Sequence, residues 1–456
     1  MMRAWSLSEL QSVVNGKLVG KDCKVLSVFT DTRQSHDQSL FVALKGETFD
    51  GHAFIREAQA SGAVAAVVSG DQENNDMPVL RVADTQHALG KLGSYNREAF
   101  TGTLIGITGS SGKTTVKNML HSVLSQRGKT LATQGNMNNE IGVPLTLLGL
   151  NSEHEFAVIE MGAGRRGDIA WLCELGKPAV SLLLNALPAH LDGFGSVEDV
   201  AQAKGEIFDD LKCGDTAVIN ADQHWADAWR ARAAPAAILD YGLENPAAVW
   251  ATAIRSNGVR GVNFTVVTPI GDAPLRLQLP GMHNVSNALA AVAAGVACEL
   301  TLDEIRHGLE LVVPVAGRLS VERIDSGADV IDDCYNANPG SVRAAIDVLA
   351  SCGGTRTLVL GAMLELGSES DSMHRDIGGY AADAGVDQLW GVGEEVQVAV
   401  NAFGEGGRYF STRDEAIEAL PGAFGEDHTV LVKGSRSAAM ELVLNVLKGK
   451  KPEVEN

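Results

Sequence analysis

Thr108-Gly109-Ser110-Ser111-Gly112-Lys113-Thr114-Thr115 is the segment of this sequence best equipped for chemistry. The apolar run 103–108 before it reads as a strand. After it, Val116, Met119, Leu120, Val123 and Leu124 recur at the spacing of one helix face. A glycine-rich loop between strand and helix is built to hold phosphate. Its glycines let the backbone wrap oxygens, and the helix N-terminus aims free N–H groups and partial positive charge at them. Lys113 reaches terminal phosphates, and the Thr114 hydroxyl can bind Mg²⁺. Ile107 stands where the general G-x-x-x-x-G-K-[ST] pattern has its first glycine. The rival reading is a Gly/Ser-rich turn with an incidental lysine, which the strand-loop-helix context disfavours. No Asn-Lys-x-Asp guanine reader is present, so the loop alone leaves kinase, ATPase and ligase open.

Such a loop needs elements to hold it. Apolar runs at 25–30, 39–44, 63–68 and 78–83 predict short strands of a first unit, and Asp84 opens a helix toward Asn96. The second unit begins with strand 103–108 and continues with strands at 156–160, 180–185 and 216–220. Alternation at 262–266 and 275–279 predicts an antiparallel pair with one wet face, and an Ala-rich helix follows at 285–298. Beyond Pro314, strands at 330–333, 357–361, 388–392 and 429–433 alternate with helical patterns, which predicts a mostly parallel sheet with helices on both faces. The expected fold is therefore α/β in three domains, 1–83, 84–313 and 314–456, consistent with 456 residues at ~150 per domain.

The net charge of −20 argues against general binding to nucleic acid or to anionic membranes. An anionic substrate must then be met by local lysines, arginines, backbone N–H groups or metal ions. Six cysteines without a CxxC pair fit reduced thiols in a cytoplasm. The start lacks the apolar stretch of a signal peptide, and the longest apolar run, 288–298, falls short of the ~20 residues that span a bilayer. A soluble cytoplasmic monomer is expected. Glu160, closing its strand at the edge where open α/β sheets present ligands, can hold Mg²⁺, with helix capping as the plainer role. Lys204 lies toward the end of a helix opened by Ser196-Val197-Glu198-Asp199, a start resembling a capping box.

Further segments carry a resemblance. The phosphate loop, Val158-Ile159-Glu160-Met161-Gly162-Ala163, Ala189-His190-Leu191-Asp192-Gly193-Phe194-Gly195 and Ala203-Lys204-Gly205-Glu206-Ile207-Phe208 stand in the order seen in the ATP-dependent muramyl ligase family. His283-Asn284-Val285-Ser286-Asn287-Ala288, Gly317-Arg318, Asp332 to Pro339 and Lys433 to Met440 extend the resemblance over the whole chain. The 135–144 run, Asp50-Gly51-His52 and Lys433-Gly434-Ser435-Arg436 look most like the member that adds D-alanyl-D-alanine to UDP-N-acetylmuramoyl-tripeptide. A related ligase adding another amino acid or a glutamate tail is the alternative.

The resemblance implies an amide ligase that uses ATP and Mg²⁺ through an acyl phosphate in cell-wall peptidoglycan synthesis. It implies a small N-terminal UDP-substrate domain, a central P-loop parallel-sheet ATPase domain with an antiparallel β addition, and a C-terminal Rossmann-like domain. Lys113, His190 and Lys204 are the implied catalytic residues, and Thr114, Glu160, His190 and a carbamylated Lys204 the implied metal ligands. Carbamylation requires a neutral amine, hence a lysine with a lowered pKa. ATP is expected at 108–115, Asn284, Asn287, Arg318 and Asp333, with Tyr335 and Asn336 flanking it. Acceptor contacts are expected from Asp31, Thr32, Arg33, Lys45, Gly46, Asp50, Gly51, His52, Asn138 and Asn139. The chain departs from the family at Ala316-Gly317-Arg318, which has Ala where Pro is usual, and at Gly361-Ala362-Met363, where an acid is missing. Glu365 and His374 remain to support that loop.

Overall fold

Three parallel-rich sheets succeed one another along the chain in the computed structural model, which describes residues 4–33, 37–46, 48–70, 77–188 and 191–449, with backbone alone at 191 and 192. The first sheet has the order Lys17–Val19, Val79–Val82, Ala63–Ser69, Ser39–Val42, Ser27–Phe29, and only the Lys17–Val19 edge is antiparallel. Successive side chains enter opposite cores: Leu40, Val42, Ala65 and Val67 on one side, Phe41, Ala66 and Val68 on the other. Strands covered on both faces read as continuous apolar runs, which is why they stand out in the sequence.

The second sheet has nine strands, in the order Gly271–Leu277, Val262–Thr268, Val249–Ser256, Ala237–Gly242, Thr216–Asn220, Val180–Leu183, Thr103–Thr108, Phe156–Glu160, Thr130–Ala132. The phosphate-loop strand Thr103–Thr108 lies between Val180–Leu183 and Phe156–Glu160, with Thr108 beside Leu183 and Ile107 beside Glu160. Three strand ends therefore open on one rim, where α/β sheets place ligands. The expected antiparallel pair is present, with Val262 opposite Leu277 and Val262, Phe264 and Val266 facing the core. Strands Ala237–Gly242 and Val249–Ser256 escaped the sequence reading. Asp240, Thr252 and Arg255 break the apolar pattern there, and most positions of both strands are exposed or half-buried.

The third sheet has the order Ser320–Arg323, Asp329–Asp333, His428–Lys433, Thr355–Gly361, Gln388–Val392, Gly407–Phe410 and is parallel except at the Ser320–Arg323 edge. Its two edge strands are polar and were not anticipated. Helix Thr85–Glu98 joins the first two domains. Asp84 Oδ1 accepts the His87 N–H at 2.9 Å as its N-cap, and Ala88, Leu89 and Leu92 enter the first core. On its other side, a Cβ at Gly93 would sit 2.8 Å from Pro144 Cα, so the helix lies hard against the second domain. Among the described residues no helix is long and apolar enough to cross a membrane.

Candidate active site

The phosphate loop is tied at both ends before any ligand is considered. Thr108 is fully buried and donates its hydroxyl to Met161 O at 2.9 Å, so it braces the strand end and does not line the cleft. Ser110 N–H donates to Asn185 O, and Asn185 Oδ1 accepts the Ser111 N–H at 2.9 Å. Gly112 precedes helix Lys113–Leu124 with φ +85°, and a Cβ there would meet Asn287 Oδ1 at 2.5 Å. Only glycine fits both constraints. Lys113 Nζ folds back to Gly109 O at 2.5 Å. Burial pushes the Lys113 ammonium below its usual pKa, Glu160 opposes that shift and Arg318 adds to it.

Glu160 is the buried acid of the cleft, 2 % exposed. Thr114 Oγ1 donates to its Oε2 at 2.9 Å, Asn138 Nδ2 donates to its Oε1 at 2.8 Å, and Lys117 Nζ lies 3.8 Å from Oε2. The hydroxyl and the carboxylate are hard oxygen donors held side by side. Among the described residues no three His, Cys, Asp or Glu side chains cluster as a complete metal cage. That set suits Mg²⁺, which takes one or two protein oxygens and completes its shell from phosphates and water.

Lys204 projects from helix Val197–Gly205, whose N-cap Ser196 accepts the Asp199 N–H. It is 2 % exposed, and burial with the nearby Lys113 charge drives its amine pKa far down. Lys204 is therefore no solvated lysine covering the helix end. His190 lies outside the described residues.

The third domain closes the cleft. Arg318 Nη2 donates to Thr114 Oγ1 at 3.0 Å while its guanidinium lies over the Tyr335 ring at 4.2 Å. Asn338 Nδ2 donates to Ser111 Oγ at 3.2 Å. The Asp333 carboxylate faces the cleft already engaged, accepting from Lys433 Nζ and from Leu319 N–H at 3.2 Å. Lys433 Nζ also reaches Asn336 O at 2.9 Å. Burial pushes the Asp333 carboxyl up, and the Lys433 ammonium works against that. Asn284 is held by Pro280 O and receives Asn287 Nδ2 on its own Oδ1, so it orients Asn287 and does not cap the helix. His283 beside them is neutral at pH 7, its pKa lowered to about 4 by burial and then by Lys433.

The remaining expected contacts lie elsewhere. Asn139 lines the cleft edge, but its Oδ1 accepts the Ile141 and Gly142 N–H groups. Asp31, Thr32 and Arg33 form an outer turn in which Arg33 pairs with Asp31. Lys45 stands 4.0 Å from Asp50, and Gly46 N–H donates to Phe49 O. Asp50 Oδ1 binds the His52 ring at 2.6 Å, His52 Nε2 accepts the Ser69 N–H, and Gly51 N–H donates to Leu44 O. These first-domain groups do not line the cleft. His374 is buried and receives the Met363 N–H at 3.0 Å, so it does anchor the loop that lacks the family's acid. Sequence reasoning missed Lys117, although its place one helical turn beyond Lys113 was a usable signal. It also missed Asn338, whose Asn-Pro step marks a helix start.

The phosphate loop, Glu160, Lys204, Asn287, Arg318 and Asp333 line a cleft of about 690 Å³ between the second and third domains. Family models match the chain in three stretches: "Mur ligase family, catalytic domain" at 24–97, "Mur ligase middle domain" at 107–295 and "Mur ligase, glutamate ligase domain" at 317–436. A UDP-N-acetylmuramoyl-tripeptide–D-alanyl-D-alanine ligase of Escherichia coli is 43% identical over 446 residues, 97% of this chain and 98% of that protein. An Acinetobacter baumannii structure described as UDP-N-acetylmuramoylalanyl-D-glutamyl-2,6-diaminopimelate–D-alanyl-D-alanyl ligase superposes with TM-score 0.88 at 35% identity, covering 98% of this chain and 99% of that one. A MurF ligase of Thermotoga maritima in complex with ADP superposes with TM-score 0.83 at 28% identity, covering 93% and 97%.

Proposed function

Because this chain belongs to the Mur ligase family, we propose that its cleft couples ATP cleavage to an amide bond, joining D-alanyl-D-alanine to UDP-N-acetylmuramoyl-tripeptide for peptidoglycan synthesis. The chain is an ATP-dependent peptide ligase of three α/β domains. The observation that carries the site reading is the meeting of Arg318 from the third domain with Thr114 of the phosphate loop, itself hydrogen-bonded to buried Glu160.

The acceptor carboxylate attacks the γ-phosphorus of ATP, the bond to the β-phosphate oxygen breaks, and ADP leaves an acyl phosphate. The dipeptide amine then attacks the acyl carbon, loses a proton, and phosphate departs from the tetrahedral carbon. Lys113 meets the terminal phosphate oxygens once the triphosphate displaces its bond to Gly109 O. Arg318 stabilises charge on the transferring phosphoryl group, and Asn138 fixes the orientation of Glu160. Thr114 and Glu160 would hold Mg²⁺, which supplies charge neutralisation between two anions. Lys204, whose amine burial and the Lys113 charge push toward the neutral form, is suited to form a carbamate with CO₂, and with His190 would hold a second cation. Asn287 and neutral His283 would face the nucleotide. The reading places the enzyme in the cytoplasm, where ATP and UDP-linked precursors occur, working as a monomer.

Phosphate release from ATP and Mg²⁺ with UDP-N-acetylmuramoyl-tripeptide should rise strongly on adding D-alanyl-D-alanine, with the pentapeptide as product. Release that ignores the dipeptide, or that responds equally to a single amino acid, would overturn this reading.

A further inference from the structure

A second cavity, of about 450 Å³, adjoins the cleft and shares Glu140, Gly162 and Asp168 with it. Its walls come from both domains that an acceptor must cross. Asp84, Gln86 and His87 belong to the start of the helix tied to the first domain, while Arg165 to Leu172 belong to the second. The His87 ring stacks on Trp171 with centroids 4.8 Å apart, giving a flat floor. The acids of the lining are mostly occupied. Asp84 accepts the His87 N–H, and Asp168 accepts the Gly164 and Arg165 N–H groups and Arg165 Nε. The N-terminus of helix Asp168–Gly176 is also filled, because Glu206 accepts the Gly167 and Ala170 N–H groups. Arg166 differs: it is exposed to the cavity and has neither hydrogen bond nor ion pair among the described residues. In a chain of charge −20, a guanidinium left without a carboxylate beside a reaction cleft is a vacant anion receptor.

Resting on the ligase reading, we propose that Arg166 receives a non-reacting carboxylate of the acceptor peptide. The Acinetobacter relative's acceptor contains a D-glutamyl and a 2,6-diaminopimelyl residue. One carboxylate of the glutamyl residue stays free in the peptide, and diaminopimelate keeps a second carboxylate after its first enters the reaction. Either fits the planar two-pronged guanidinium. Glu140 on the shared rim, with neither hydrogen bond nor ion pair among the described residues, suits the ammonium that accompanies a diaminopimelyl carboxylate.

Arg166→Ala should raise the KM for the diaminopimelate-containing acceptor about tenfold, with kcat and the KM for ATP little changed, and Arg166→Lys should restore part of the loss. Two further acceptors separate the sources: one with lysine as third residue, and that same acceptor with its glutamyl carboxylate amidated. A penalty that disappears with lysine assigns the diaminopimelyl carboxylate. A penalty that survives lysine and disappears on amidation assigns the glutamyl carboxylate. A penalty equal for all three acceptors, or none for any, overturns the proposal. Calorimetric binding of the same acceptors without ATP reads the same ranking independently of turnover. Acceptor binding that follows this ranking without any ligation would refute the ligase reading and leave the Arg166 assignment standing.

Discussion

At the scale of single residues, two of the lysines in the cleft have different work. Lys113→Ala should lower kcat about 10²-fold or more at saturating ATP, because it removes a cation aimed at developing phosphoryl charge. Turnover near that of the parent enzyme would remove Lys113 from the reaction. Lys204→Ala should be nearly inactive, and added acetate or formate should restore part of the rate by replacing the oxygens of a carbamate. A fully active variant would exclude Lys204 from the site. Both lysines were legible in the sequence, because a loop motif and a family segment marked them. Lys117 was not, although it lies 3.8 Å from Glu160. A lysine on an amphipathic helix reads as a solvated side chain until burial shows otherwise. The roles of Asn139, Asp50 and His52 were also illegible. An Asn or Asp that ties its own backbone has the same letter as one that meets a ligand.

At the scale of elements, the phosphate loop depends on the close approach of two helices. Gly112→Ala places a Cβ 2.5 Å from Asn287 Oδ1 at φ +85°. ATP turnover should fall at least tenfold with circular dichroism unchanged, since the misfit is confined to one turn. Behind the loop, Arg127 at the end of the Lys113 helix grips Glu304 through 2.7 and 2.6 Å bonds, and Glu304 also accepts the Thr301 N–H and hydroxyl in a capping box. These partners lower the Glu304 pKa to about 2, with Arg127 the largest cause. A carboxyl titrating lower in the folded chain stabilises it above the unfolded value and loses that contribution as pH falls toward the folded one. Glu304→Gln should therefore lower Tm above about pH 5, by the equivalent of ~1 kcal/mol, and the gap to the parent should close near pH 2. A gap independent of pH would mean the bonds matter without the charge. The spacing Thr301-x-x-Glu304 was legible as a capping box, although the sequence reading passed over it. The edge strands Ser320–Arg323 and Gly407–Phe410 were not, because their pairing, and no pattern of their own, makes them strands.

At the scale of the whole molecule, two hydrogen bonds, Arg318 to Thr114 and Asn338 to Ser111, join the third domain to the phosphate loop. Arg318→Ala should lower kcat more than it raises the KM for ATP, since its contact matters most as charge moves onto the transferring group. A change in the KM for ATP alone would make it a plain binding contact. Solution scattering should show the protein becoming more compact when an ATP analogue and the UDP-linked acceptor are added together. Three domains and their order were legible because each sheet announces itself with buried apolar strands. The joining of domains was not, since single residues such as Arg318 carry it across 204 positions of chain.

The third sheet sets a schedule for making the enzyme. Strand His428–Lys433 lies in the middle of that sheet, between Asp329–Asp333 and Thr355–Gly361, yet it is the last of the six to be synthesised. At ~5–20 residues per second, the ribosome needs roughly 5–20 s after Asp333 to produce its partner Lys433. Until then the two halves of the sheet have no common neighbour, and the wall that carries Arg318, Asp333 and Tyr335 has nothing to stand on. The nascent chain can finish its phosphate loop early, but it gains a complete nucleotide cleft only after translation has passed residue 433.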